Sequence, residues 1–132
     1  MLVVDDEPDI RYLLRRVLER SDGKNRVVEE AANGAEALRV PTRLPNTSDA
    51  TVIVLDQQMP GLNGLETAAR IRAQRQDQPI ILFSALLTDA IRQDAVRAGV
   101  TLCLPKTALA ELPTLVDALA GTARHGHDAH MS

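Results

Sequence analysis

Aromatic side chains are nearly absent: one Tyr, one Phe and no Trp make up 2% of 132 residues. So few rings cannot build a platform for stacking nucleic-acid bases. Cysteine occurs once, which excludes intramolecular disulfides and fits a reducing compartment. Basic charge is in deficit, with Lys+Arg 15 against Asp+Glu 18 and a net charge of -3. No basic excess is available to hold a phosphate backbone. Long apolar runs are missing as well; those present span a few residues, against the ~20 needed to cross a bilayer. Met1 leads through Leu2-Val3-Val4 straight into acid, unlike a secretory leader. Together these absences predict a small cytoplasmic domain without a membrane span and without a nucleic-acid partner.

What the chain has is ordinary for a soluble domain, 45% hydrophobic and 25% charged residues. The length predicts one domain, large enough to enclose a core unaided. Short apolar runs alternate with amphipathic stretches. Leu2-Val3-Val4 reads as a buried strand ended by Asp5-Asp6. Pro8 suits a first helical position, and Ile10, Leu13, Leu14, Val17 and Leu18 recur at helical spacing, with Arg11, Arg15, Arg16, Glu19 and Arg20 opposite. Gly23 ends that helix. Residues 26–30 read as a second strand and Asn33-Gly34 opens a short helix through Leu38. Residues 41–51, with Pro41, Pro45, Asn46 and Asp49, read as a loop. Val52-Ile53-Val54-Leu55 is a strand ended by Asp56, and a Met59–Gly64 turn leads into a helix carrying Leu65, Ala68, Ala69 and Ile71. Pro79–Phe83 is a strand ended by Ser84. Residues 88–98 form a helix capped by Gly99, and 100–104 a fifth strand before Lys106. Leu112, Leu115, Val116 and Leu119 mark the last helix, with Pro113 in its first turn. Five alternations of strand and helix predict an α/β fold, a parallel sheet with helices on both faces. Residues 1–120 form the domain, and 121–132 a polar tail.

In an open parallel sheet, ligands bind beyond the carboxyl ends of the strands. Four of the five predicted strands end there in a chemically able residue: Asp5 and Asp6, Asp56, Ser84 and Lys106. Any one of them alone would read as a cap, a turn or a solvated charge. Three carboxylates together repel, and need raised pKa values or a divalent cation. Hard oxygen ligands without His or Cys favour Mg²⁺ over zinc. A carboxylate on a buried strand beside the metal can be a nucleophile toward phosphorus, while a lysine and a hydroxyl steady the transferred oxygens. The chemistry predicted is aspartyl phosphorylation.

At these residues the chain resembles the receiver domain of two-component response regulators. The motifs are Leu2–Pro8 with its acid pair, Asp56 with the following Met59-Pro60-Gly61-Leu62-Asn63-Gly64 turn, Leu82-Phe83-Ser84-Ala85, and Leu104-Pro105-Lys106. The resemblance covers residues 2 to about 120. It implies a doubly wound five-stranded parallel sheet in the flavodoxin-like, CheY-like order 2-1-3-4-5. It implies Asp56 as phosphoacceptor, with Mg²⁺ held by Asp5, Asp6, Asp56 and the backbone carbonyl of Gln58. Lys106 then pairs with phosphoryl oxygens, Ser84 is the switch hydroxyl, and Pro60 and Gly64 shape the loop beside the nucleophile. The implied partners are a histidine kinase or histidine phosphotransfer protein, and a downstream protein reading the face of helix 88–98, strand 100–104 and the last helix.

The chain departs from the family pattern in several places. The first strand is short at its start, which lowers stability and points to a missing upstream segment. Loop 41–51 is long and reads as a surface insertion. Pro105 precedes Lys106 and Thr107 follows it, where relatives commonly place a cis proline, so the Lys106–Thr107 bond is expected trans. Cys103 stands where relatives often carry a mobile Tyr or Phe, and reads as an inert thiol. Leu86, with Gln58, flanks the position that tunes self-dephosphorylation and predicts slow hydrolysis. His125, His127 and His130 fall in the tail. A tail of roughly a dozen residues cannot fold alone, so the expectation is a stand-alone switch and not an enzyme. An aspartate-nucleophile phosphohydrolase needs an acid two residues after Asp56, where Gln58 stands. A degenerate docking module would have lost part of the set Asp5, Asp6, Asp56, Ser84 and Lys106, and all are present.

Overall fold

A strand covered on both faces must be apolar at every position. β1 (Leu2–Val4), β3 (Ile53–Leu55) and β4 (Ile80–Ser84) meet that condition up to the polar Ser84 that ends β4, and all their residues are buried. In the structure, a computed structural model that describes residues 1–19, 27–40 and 52–120, these three strands form the interior of the sheet. β2 (Glu29–Ala31) and β5 (Leu102–Pro105) are its edges. The order is β2-β1-β3-β4-β5 with every pairing parallel. This is the expected doubly wound sheet.

Successive side chains leave a strand on opposite faces, which divides the core in two. Leu2, Val4, Ile53, Leu55, Ile80 and Leu82 face Ala37, Ala68, Ile71 and Ala95. Val3, Val54, Ile81 and Phe83 face Leu14, Leu18, Leu112 and Val116. The first layer is covered by α2 (Gly34–Arg39), α3 (Gly64–Gln74) and α4 (Asp89–Ala98). The second is covered by α1 (Pro8–Glu19) and α5, residues 112–120.

Local chemistry sets the helix ends. Asn63 and Glu66 form a reciprocal capping box on α3, and Thr88 caps α4. Gly99 ends α4 with φ 85°, a conformation only glycine adopts freely. α4 is loosely seated: Ala95 is its one buried residue and seven of its ten are exposed. What ties its end down is Arg72 on α3. Its guanidinium donates to the carbonyl of Gly99 twice (3.1 and 2.6 Å) and to those of Arg75 (3.2 Å), Gln76 (2.6 Å) and Gln78 (2.6 Å).

Several details differ from the sequence expectations. β2 starts at Glu29 and leaves out Val27 and Val28, both expected in it; Val27 is 80% exposed and its carbonyl accepts from the Met1 ammonium at 2.8 Å. β5 starts at Leu102, because the Val100 N–H turns back to the Ala95 carbonyl (2.9 Å) and closes α4. On α1, Leu13 is 45% exposed while Arg11 is half-buried, a reversal of the face expected for each. A 3₁₀ turn over Lys106–Glu111, absent from the sequence expectations, precedes α5. Pro113 lies in the first turn of α5 as predicted. The Gly23 stop, loop 41–51 and the tail 121–132 with its three histidines lie outside the described residues. No helix among the described residues is long and apolar enough to cross a membrane.

Candidate functional site

Strand register builds the site. Val4 pairs with Leu55, and the Asp56 N–H donates to the Val4 carbonyl at 2.9 Å. Asp5 and Asp56 therefore leave adjacent strands at one level, with Asp6 next to them. One carboxylate oxygen from each of Asp5, Asp6 and Asp56 lies within 4.8 Å of the others. Asp5 and Asp56 are buried and Asp6 half-buried. Lys106, just beyond β5, places Nζ 3.4 Å from Asp5 Oδ2 and 3.3 Å from Asp56 Oδ1. The structure thus brings together four of the residues singled out from sequence.

Three carboxylates against one ammonium leave an excess of negative charge. Each such pair repels by roughly 3–4 kcal/mol at an effective dielectric constant near 20. Burial, then the charge of Asp5, holds the Asp56 carboxyl above its ordinary pKa although Lys106 opposes both. Burial works against the Lys106 ammonium, but Asp5 and Asp56 outweigh it and raise its pKa. Uncompensated hard oxygen donors without His or Cys suit a divalent cation such as Mg²⁺.

The turn after Asp56 depends on close backbone packing. Gly64 opens α3, and a Cβ there would meet the Asp56 carbonyl oxygen at 2.5 Å and the Gln57 Cα at 2.9 Å. Gln57 completes the junction: its carbonyl accepts from the Gly64 N–H (3.0 Å) and its Oε1 from the Leu65 N–H (2.9 Å). Gly61 takes φ 77° within the turn. Gln58 is exposed.

Ser84 ends β4 opposite Pro105, one residue from Lys106. Its hydroxyl donates to the Leu86 carbonyl (3.2 Å) and accepts from the Leu86 N–H (3.3 Å). Cys103 is half-buried on β5, and burial pushes its thiol pKa up against the pull of Arg92. The sequence reading expects a buried thiol, and Cys103 is buried only in part. No peptide bond among the described residues is cis, as expected for Lys106–Thr107.

Two supporting residues were missed from sequence, Gln57 and Arg11. Arg11 Nη1 donates to the Asp5 backbone carbonyl at 2.7 Å, while its Nε meets Glu30 Oε1 at 3.1 Å. The signal was present: Arg11 precedes Leu14 by three residues and Leu18 by seven, on the buried stripe of α1.

The family model described as response regulator receiver domain matches residues 1–119. Among curated proteins, the chain is 40% identical over 110 residues to a protein-glutamate methylesterase/protein-glutamine glutaminase of Hahella chejuensis, covering 80% of this chain and 29% of that protein. It is 39% identical over 99 residues to the transcriptional regulatory protein ResD of Bacillus subtilis, covering 75% of this chain and 38% of that one. The chain therefore spans well under half the length of these relatives. Among solved structures it superposes on the response regulator TrrA of Thermotoga maritima, in complex with Mg(2+)-BeF, with a TM-score of 0.73 and 35% identity. That match covers 89% of this chain and 96% of TrrA.

Proposed function

The chain belongs to the response regulator receiver domain family, and from that premise we propose that it is a phosphorylation switch with Asp56 as the acceptor. The observation that carries the reading is the joint approach of Lys106 to Asp5 and Asp56 within a three-carboxylate cluster at the sheet edge. Asp5, Asp6, Asp56 and the Gln58 backbone carbonyl would hold Mg²⁺. When bound, the ion supplies positive charge that offsets the charge of the carboxylates and of the phosphoryl oxygens. The TrrA complex with Mg(2+)-BeF supports that assignment by similarity.

The phosphodonor is a histidine kinase or a histidine phosphotransfer protein. An Asp56 carboxylate oxygen forms the new O–P bond while the P–N bond to the donor imidazole breaks, and the departing imidazole takes its proton from water. Lys106, kept protonated by its two acidic neighbours, pairs with the phosphoryl oxygens. Ser84 gives up its bonds to Leu86 and donates its hydroxyl to the phosphoryl group, which draws the 84–88 segment inward and shifts α4. A downstream protein reads the face of α4, β5 and α5, where Ala90, Ile91, Ala98 and Leu102 lie at or near the surface. Residues 1–120 carry the switch. A single thiol and such partners fit the cytoplasm.

With Gln58 two residues after the nucleophile, no acid is available there to protonate a leaving group, so turnover is not expected. The test is incubation with acetyl phosphate and Mg²⁺. One base-labile phosphate per chain, lost in Asp56→Asn, is expected. Labelling that survives Asp56→Asn, or sustained phosphate release, would overturn the reading.

A further inference from the structure

Asp5 is held at four points. Its N–H donates to the Ala31 carbonyl of β2 (3.2 Å), its Oδ1 accepts from the Glu7 N–H (2.9 Å), and its Oδ2 faces Lys106 (3.4 Å). The fourth is its backbone carbonyl, which has left the sheet ladder and is buried where an unpaired acceptor would be costly. Arg11 fills that vacancy at 2.7 Å. The guanidinium is itself braced, with Nε at 3.1 Å from Glu30 Oε1, and Arg15 Nη1 lies 3.1 Å from Glu30 Oε2. The Arg11 side chain is only 16% exposed, so this is not a solvated surface pair.

The placement of the two cations differs. Lys106 lies on the carboxylate oxygens themselves, where an incoming divalent ion must share them. Arg11 takes the backbone carbonyl of Asp5 and not its carboxylate oxygens. A planar fork that satisfies Asp5 and Glu30 together fixes the backbone from which the Asp5 side chain projects. We propose that Arg11, braced by Glu30, is a positioning residue for Asp5, coupling the edge strand β2 to cation affinity at the acidic site. The proposal rests on the reading of Asp5 as a metal ligand.

Mg²⁺ dissociation constants from amide chemical-shift titration, without phosphodonor, are compared with urea unfolding midpoints. The variants are Arg11→Met, Glu30→Gln, their combination and Asp5→Asn. Loss of an outer partner of a ligand typically weakens metal affinity 10–100-fold, so Arg11→Met is expected to raise the dissociation constant by about tenfold. Glu30→Gln should move it less and in the same direction, and the double variant should be no weaker than Arg11→Met alone. A lowered urea midpoint with unchanged Mg²⁺ affinity in both single variants would make the pair merely structural and overturn the proposal. Should Arg11→Met not fold, Glu30→Gln and Arg11→Lys decide it by the same comparison. Unchanged affinity in Asp5→Asn would instead bring down the metal reading itself.

Discussion

Replacing Gly64 by alanine sets two effects of opposite sign against each other. At a helix position alanine is favoured over glycine by about 1 kcal/mol, so propensity alone predicts a more stable protein. Gly64 is not among the positive-φ glycines, and no conformational penalty offsets that gain. The packing does. The new Cβ would meet the Asp56 carbonyl oxygen at 2.5 Å, with Gln57 Cα and Leu82 Cδ1 each at 2.9 Å. Two of these neighbours are backbone and cannot rotate aside, so α3 and the Asp56 strand end must part by several tenths of an ångström. Overpacking of this kind costs roughly 1–3 kcal/mol, and rigid neighbours put this case at the upper end. The net expectation is a loss of about 2 kcal/mol, a fall in Tm of roughly 8 °C for a domain of this size. Because the displaced atom is Asp56's own carbonyl, labelling by acetyl phosphate should slow in the same variant. Thermal and urea unfolding followed by circular dichroism measure the first effect. Gly61→Ala serves as the control: with φ +77° and nothing within 4 Å, it should cost about 1 kcal/mol of backbone strain and leave labelling unchanged. A Gly64→Ala protein as stable as wild type, or more so, would refute the packing argument.

Asp56→Asn should stabilise the cation-free protein near neutral pH. The folded Asp56 carboxyl titrates above the ordinary value of 3.8, so as pH rises the unfolded chain ionises first and wild type loses stability relative to the variant until folded Asp56 has also ionised. Urea unfolding of both proteins across that range, without divalent ions, should show the gap opening toward neutral pH; a gap that widens toward acid would contradict the sign. Mg²⁺ should raise Tm in wild type by mass action, and Asp6→Ala should weaken that rise and slow phosphorylation together; an unaltered rise would move the metal elsewhere. Ser84→Ala should accept phosphate yet show small amide shifts over residues 85–105 with a phosphoryl mimic, and shifts equal to wild type would exclude Ser84 as the switch. Arg72→Met should lose about 3 kcal/mol, since four carbonyls forfeit a charged donor at once, with Arg72→Lys between; urea midpoints check both.

The interior strands could be read from residue type because both faces are covered: Ile53-Val54-Leu55 and Ile80–Phe83 have no polar position to confuse a period of two. The site was readable for a related reason, since Asp5, Asp56 and Ser84 each stop an apolar run at the same sheet edge. Beyond the interior strands, apolar residues also serve something other than a strand. Val100 packs against the core from the turn that closes α4, a common hydrophobic contact just past a helix end. Val27 lies beyond the short edge strand. The 3₁₀ turn at Lys106–Glu111 contains Thr107, Ala108 and Ala110, too small to show a helical stripe. Arg11 and Arg72 escaped notice because arginine is read as solvent-facing, whereas a guanidinium can lie along a buried surface and still satisfy several carbonyls.

The loose seating of α4 has an evolutionary consequence. Substitutions at its seven exposed positions touch neither core layer, and surface changes of that kind usually alter stability by less than about 0.5 kcal/mol. Ala95, Gly99 and the Arg72 clamp keep the helix in place whatever its outer face carries. Duplicated copies of such a gene can therefore diverge in sequence along the outer face of α4 while the fold is kept. The carboxylates and Lys106 at the sheet edge stay untouched by that drift.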